Sequence, residues 1–137
     1  MHQQFTSATE MLTAYEQRCA GTDEGQVLRE ILGRIGDKWS LLVIGTLQYG
    51  PQRSGDLLAY VPGISQRMLT LTLRNLERDG ILTRTSHPEV PPRVEYELTP
   101  IGRGLAVPAG AVAGWAIANV EEIQDARARF DARAEAS

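Results

Sequence analysis

The sequence predicts an α+β chain, mostly α, in which a run of helices leads into one β-hairpin and then into more helix. Three observations carry this. Apolar residues recur at helical spacing over much of the chain, with stops at Gly36, Gly50-Pro51 and Gly80. After Gly80 the period changes: Arg93-Val94-Glu95-Tyr96-Glu97-Leu98 alternates strictly between polar and apolar. Between these two regimes, Pro62 to Gly80 spells a turn, a capped helix and a stop.

The elements follow in order. Ser7 to Arg18 forms a weakly amphipathic helix with Met11, Leu12 and Tyr15 on one side. Gly21 to Gly25, polar and flanked by glycine, forms a linker. Val27 to Ile35 is a second helix, with Val27, Leu28, Ile31, Leu32 and Ile35 in phase. Gly36 ends it, and Asp37 caps the next, Lys38 to Tyr49. That third helix is apolar on nearly all sides, which marks it as buried. Ser54 caps a short fourth helix, Gly55 to Tyr60.

The fifth helix is the one around which the others are arranged. Ser65 is its N-cap, because a hydroxyl there accepts from an orphan N–H of the first turn. Ile64 and Leu69 then occupy the two positions of a hydrophobic staple. Met68, Leu69, Thr72, Leu73 and Leu76 fall on one side and Gln66, Arg67, Thr70 and Arg74 on the other, with Leu71 at the edge. No acidic residue occurs from Leu57 to Leu76, although the chain is acidic as a whole. Such a helix suits a DNA major groove: Arg bonds guanine in pairs, Gln adenine, and Ser or Thr either. The competing reading is an ordinary solvated helix face. Helix, short turn and helix make a helix-turn-helix, in which the second helix enters the groove.

Ile81 to Thr85 and Arg93 to Leu98 are the two strands of the hairpin, joined by a stiff loop, His87 to Pro92, with three prolines. A hairpin directly after a groove-reading helix makes a winged helix. Thr99 caps a further helix that Pro100 opens. Pro108 is expected to break or kink it, and Ala109 to Arg133 to continue as a long Ala-rich helix.

Composition bounds the function. At 137 residues, 42% hydrophobic and 23% charged, the chain suits a single globular domain. The net charge of -3 excludes a basic binder of nucleic acid along its whole length. Charge is distributed unevenly: residues 53–103 carry seven arginines against six acids, while both ends are net acidic. A DNA surface is therefore local. One cysteine, Cys19, precludes an internal disulfide and fits a reducing cytoplasm. No signal pattern opens the chain, and the longest uncharged run, Gly104 to Val120, has 17 residues, short of a membrane span. The expectation is a cytoplasmic protein with no membrane partner.

Several segments together resemble the HxlR family of winged-helix regulators, which are related to MarR proteins. They are I-G-D-K-W-S-L-L-V-I (35–44), G-P-x-R-S-G-D-L (50–57), P-G-I-S-Q-R-M-L-T-x-T-L-R-x-L-E-R-D-G-I-L-T-R (62–84) and P-x-V-P-P-R-V-E-Y-E-L-T-P-x-G (88–102). The resemblance covers roughly residues 26–119. It implies a DNA-binding homodimer in which terminal helices form the dimer and Ser65 to Asn75 read the major groove. The domain layout expected is then 1–25 as N-terminal helix and linker, 26–104 as the winged helix-turn-helix, and 105–137 as C-terminal dimerisation helices. Many members of this family carry a reactive cysteine 13 residues before the tryptophan of the G-x-K-W motif. Here that position is Gln26. Cys19 lies further upstream, so it is a candidate redox sensor only from a displaced position.

The candidate DNA contacts are Arg53, Ser54, Ser65, Gln66, Arg67, Thr70, Arg74, Arg84, His87 and Arg93. Arg84 and Arg93 flank the hairpin loop and suit phosphate or minor-groove contact, with cross-strand pairing to Glu95 or Glu97 as the competing use of both. Trp39, Tyr96 and Trp115 are read as core aromatics. The small-residue segment Ala109 to Ala118, with Trp115, is at the same time a candidate interface between copies. His2 and His87, the two histidines, have no metal-ligand spacing, so no metal or cofactor is expected and no catalytic set is recognised. The expected function is a sequence-specific transcriptional regulator, a repressor binding a pseudo-palindromic operator as a homodimer, released by a small-molecule or oxidant inducer. The rival is a winged helix used for protein contacts alone.

Overall fold

Asp37 starts the helix at the centre of the fold. Its carboxylate accepts from the Trp39 N–H at 3.1 Å and from the Ser40 hydroxyl at 3.0 Å, which opens α3 (Lys38–Leu47). The computed structural model describes residues 7–19 and 23–136. Two helices precede α3: α1 (Ala8–Cys19) and α2 (Asp23–Gly36). A two-residue strand, β1 (Gln52–Arg53), leads into α4 (Ser54–Tyr60), and a turn delivers α5 (Gln66–Arg78). The hairpin β2 (Leu82–His87) and β3 (Arg93–Leu98) follows, and α6 (Pro100–Ala136) closes the chain.

The core lies where α3, α4, α5 and the root of the hairpin meet. Val43, Ile44, Leu47, Leu57, Val61, Leu69, Leu73, Leu76, Ile81, Leu82 and Leu98 are all buried there. Each such side chain contributes about 1.5–3 kcal/mol relative to exposure. The sheet is antiparallel in the order β1-β3-β2. Leu82 opposes Leu98 at the buried root, and His87 opposes Arg93 at the tip. This is the winged helix-turn-helix expected from the sequence.

Several local expectations need correction. The linker placed at Gly21 to Gly25 is helix from Asp23 onward, and residues 20–22 lie outside the described residues, as does His2. Asp23 and Glu24 favour the positive end of α2, so the helix starts before its apolar periodicity does. Ser54 is the first residue of α4, not its cap. Arg53 is held extended by pairing with Glu95, and its backbone N–H donates to the Asp56 carboxylate at 3.4 Å. The third helix is buried on one side only. Ser40, Val43, Ile44 and Leu47 face the core while Leu42 stays 40% exposed.

Pro108 does not end α6, which runs unbroken for 37 residues. The helix loses one backbone hydrogen bond there. Ala106 and Ala109 are buried on either side, so packing holds both flanks in place. Thr99 caps α6 as expected, its hydroxyl accepting from the Gly102 N–H at 3.1 Å. By length and composition α6 could cross a membrane, but Gly102, Ala106 and Ala109 are buried against the winged domain. Beyond Ala113 most of its large apolar residues stand in the open, with Ile123 half-buried: Trp115 is 62% exposed and Ile117 76%. Trp115 is therefore not a core aromatic of this chain, whereas Trp39 and Tyr96 pack against the core.

Candidate nucleic-acid interface

The helix α5 is fixed at both ends by local chemistry. At its start the Ser65 hydroxyl accepts from the Met68 N–H at 3.1 Å, and Ile64 and Leu69 are both buried as the staple requires. At its end Gly80 adopts φ +74°, a conformation costly for any residue with a β-carbon. The Gly80 N–H then donates to Glu77 O and the Ile81 N–H to Leu76 O, which completes a Schellman motif. Leu69, Thr72, Leu73 and Leu76 are buried beneath. The helix can neither roll nor slide without exposing them.

The opposite side is open. Gln66, Arg67, Thr70 and Arg74 are all exposed. The Gln66 side-chain amide donates to the Thr70 hydroxyl at 3.2 Å, and that hydroxyl donates to Gln66 O at 2.9 Å. Arg67 and Arg74 have no carboxylate within 4.0 Å among the described residues. Two unpaired cations on an acid-free helix face leave the positive potential uncancelled. Leu71, 51% exposed, lies beside them and can meet a thymine methyl.

The sheet gathers a second group. Arg53 opposes Glu95 in register, and Glu95 also lies 3.6 Å from His87 Nε2. Arg93 is engaged twice, by Glu95 at 2.7 Å and by Glu89 at 3.1 Å. The pairing foreseen as a competitor thus exists, though with a neighbour on its own strand and a loop residue rather than across the hairpin. Arg84 on β2 and Arg53 on β1 are exposed and form no ion pair among the described residues. Ser54 is half-buried at the first position of α4. Cys19 is the last residue of α1.

Sequence reasoning missed two features around α5. Arg34 of α2 bonds Asp79 at its C-terminal cap, at 2.8 Å. Gly102 lies so close to the Ile81 carbonyl that no side chain fits there. The first pair is 45 residues apart and leaves no local signal. The second could have been suspected from a glycine placed in the first turn of a helix.

Residues 34–124 match the family model described as HxlR-like helix-turn-helix. The chain belongs to the HxlR-like helix-turn-helix family. The HxlR match begins and ends a few residues later than the span read from motifs, about 26–119. Among curated relatives, YtfH of Escherichia coli (strain K12), an uncharacterized HTH-type transcriptional regulator, is 39% identical over 95 residues, 69% of this chain and 75% of its own. An HTH-type transcriptional regulator of Synechocystis is 43% identical over 97 residues, 71% of this chain and 72% of its own. Among solved structures, the ytfH regulator of Salmonella typhimurium matches with a TM-score of 0.68 at 38% identity, covering 72% of this chain and 88% of that one. The reduced form of the redox regulator HypR matches at 0.66 and 37%, covering 72% and 97%. As an HxlR protein this chain is a DNA-binding transcriptional regulator, not an enzyme. The rival reading, a winged helix without DNA, is not favoured.

Proposed function

We propose that this protein is a repressor that binds a pseudo-palindromic operator as a homodimer, with Ser65 to Arg74 reading base edges in the major groove. The observation that carries the reading is the exposed, acid-free face of α5, with unpaired Arg67 and Arg74, on a helix anchored by its buried side. Arg53 and Arg84 supply phosphate contacts beside it, and Ser54 and His87 lie at the edges of the same surface. Arg93 joins them only by exchanging a carboxylate for a phosphate.

The homodimer is supported by apolar surface that the chain leaves uncovered. On α1 and α2, Met11, Leu12, Val27 and Leu32 are about half exposed or more, and on α6 so are Val112, Trp115, Ile117, Val120 and Phe130. A symmetric pair of copies covering these helices would read two half-sites, which lie about 34–36 Å apart, one turn of the duplex. The layout 1–25, 26–104 and 105–137 puts the DNA contacts in the middle and the dimer contacts at the ends, with Val27 and Leu32 extending the N-terminal part of that surface onto α2. HypR is a redox regulator by its description, which supports an oxidant as one class of inducer. A small molecule is the other. With Gln26 where many members carry cysteine, we place release from DNA outside the control of Cys19.

The test is binding of an operator fragment selected from the source genome. Arg67→Ala and Arg74→Ala are each expected to weaken it by about 1–3 kcal/mol if they bond bases in pairs. A lost base contact relaxes preference at one position, while a lost phosphate contact lowers the salt slope by about one. Wild-type binding by both variants would overturn the assignment of α5.

A further inference from the structure

The C-terminal end of α5 is where the rest of the molecule takes hold of the reading helix. Asp79 is its C-cap, and its carboxylate accepts from Arg34 Nε of α2 at 2.8 Å. The two side chains are only 22% and 13% exposed, so solvent screens this pair less than the others of the fold. A carboxylate at that place opposes the helix dipole, whose negative end lies there. Helix stability alone therefore gives no reason for an acid at position 79. Its partner gives one. α2 packs on α1 and α3, and this ion pair is the polar bond that joins α2 to α5 among the described residues.

The neighbouring residues are held from the other side. The Thr99 hydroxyl donates to Gly80 O at 2.6 Å and the Thr99 N–H to Ile81 O at 3.0 Å. The start of α6 thus grips the turn immediately after Asp79. One end of α5 is hydrogen-bonded to α2 and to the start of α6, while the other end, at Ser65, is packed on the core through Ile64 and Leu69 and, among the described residues, hydrogen-bonded only within its own turn.

We propose that Arg34 and Asp79 are positioning residues for sequence recognition: their bond sets the tilt of α5 in the groove from the N-terminal arm, without touching DNA. The claim rests on the reading of α5 given above. Its consequence is specific. Sequence reading needs side chains at fixed places over base edges, whereas phosphate attraction tolerates a tilted helix. Loss of the bond therefore lowers discrimination and leaves the general affinity for duplex DNA almost alone.

The experiment compares the selected operator fragment with a scrambled duplex of equal length, for wild type, Arg34→Gln, Asp79→Asn, the double variant and Arg67→Ala. Each single neutralisation is expected to cut the operator-to-scrambled affinity ratio about tenfold, and the double variant no further, since both remove one bond. The slope of log affinity against log salt should not change, because no phosphate contact is lost. If the stranded charge unfolds the singles, the double variant strands none, and its ratio decides. A charge-swapped Arg34→Asp/Asp79→Arg protein is expected to recover part of the ratio. An unchanged ratio in the double variant, or losses that multiply from single to double, would overturn the proposal while Arg67→Ala still loses discrimination. If Arg67→Ala loses none either, the reading of α5 falls, and this one with it.

Discussion

Replacing Gly102 with alanine sets two physical effects against each other. Position 102 lies in the first turn of α6, where alanine is the better helix former by up to about 1 kcal/mol. Propensity alone therefore promises a gain. The structure promises a loss. A β-carbon there would fall onto the Ile81 carbonyl oxygen, 3.0 Å from its carbon and 3.2 Å from Ile81 Cγ2. The obstacle is backbone, not a side chain that can swing away. Relieving it parts α6 from the turn by roughly 1 Å, an overpacking cost of about 1–3 kcal/mol. The Thr99 N–H bond to Ile81 O, 3.0 Å, and its hydroxyl bond to Gly80 O, 2.6 Å, stretch with it. Each is worth about 0.5–1.5 kcal/mol. The net is a loss of about 3 kcal/mol, and a fall in Tm on the order of 10 °C for a chain of this size. Urea or thermal unfolding at fixed protein concentration measures it. Gly104→Ala, where a β-carbon meets nothing within 4 Å, is the control and should gain slightly. A Gly102→Ala protein as stable as wild type would refute the close approach of α6 to Ile81.

Three further outcomes can be checked with the same protein. Ser65→Ala removes the cap of α5 and should cost about 1 kcal/mol of unfolding free energy, read by denaturant titration; no loss would mean the hydroxyl does not hold the first turn. Trp115→Ala together with Ile117→Ser should shift the sedimenting species from dimer toward monomer without lowering helix content, and a dimer that survives places the interface elsewhere. Cys19→Ser should bind and release the operator like wild type before and after diamide; release by wild type alone would make the chain a one-cysteine switch.

The parts of the fold that could be read in advance are those whose causes are local. Ser65, the Ile64–Leu69 staple and Gly80 lie within one stretch, so the ends of α5 followed from residue types alone. Val94, Tyr96 and Leu98 announce β3 by alternation. The misreadings have tertiary causes. Asp23 to Gln26 joined α2 although Gly25 argued for a break. Pro108 was overruled by the packing of Ala106 and Ala109, and β1 is two residues long, too short for any period to show. For the site, the exposed row on α5 was legible because helical phase sorts the face. The pairing of Arg93 with Glu95 was foreseen as its competing use, but the second partner, Glu89, was not, because it depends on how the hairpin loop folds back. Arg34 and Asp79, 45 residues apart, meet only through the tertiary fold.

The two-residue strand β1 has a bearing on the geometry of operators. Its pairing with β3 fastens the hairpin to the chain just ahead of α4, so hairpin and helix-turn-helix turn as one body. Inserting a single base pair between half-sites rotates one relative to the other by about 34–36°. A hairpin on a free hinge could absorb part of that rotation by swinging. In the homodimer proposed above, the whole adjustment would pass to the helices outside the winged domain, and the accepted spacing would be set by how far α6 bends or twists between Ala113 and its end.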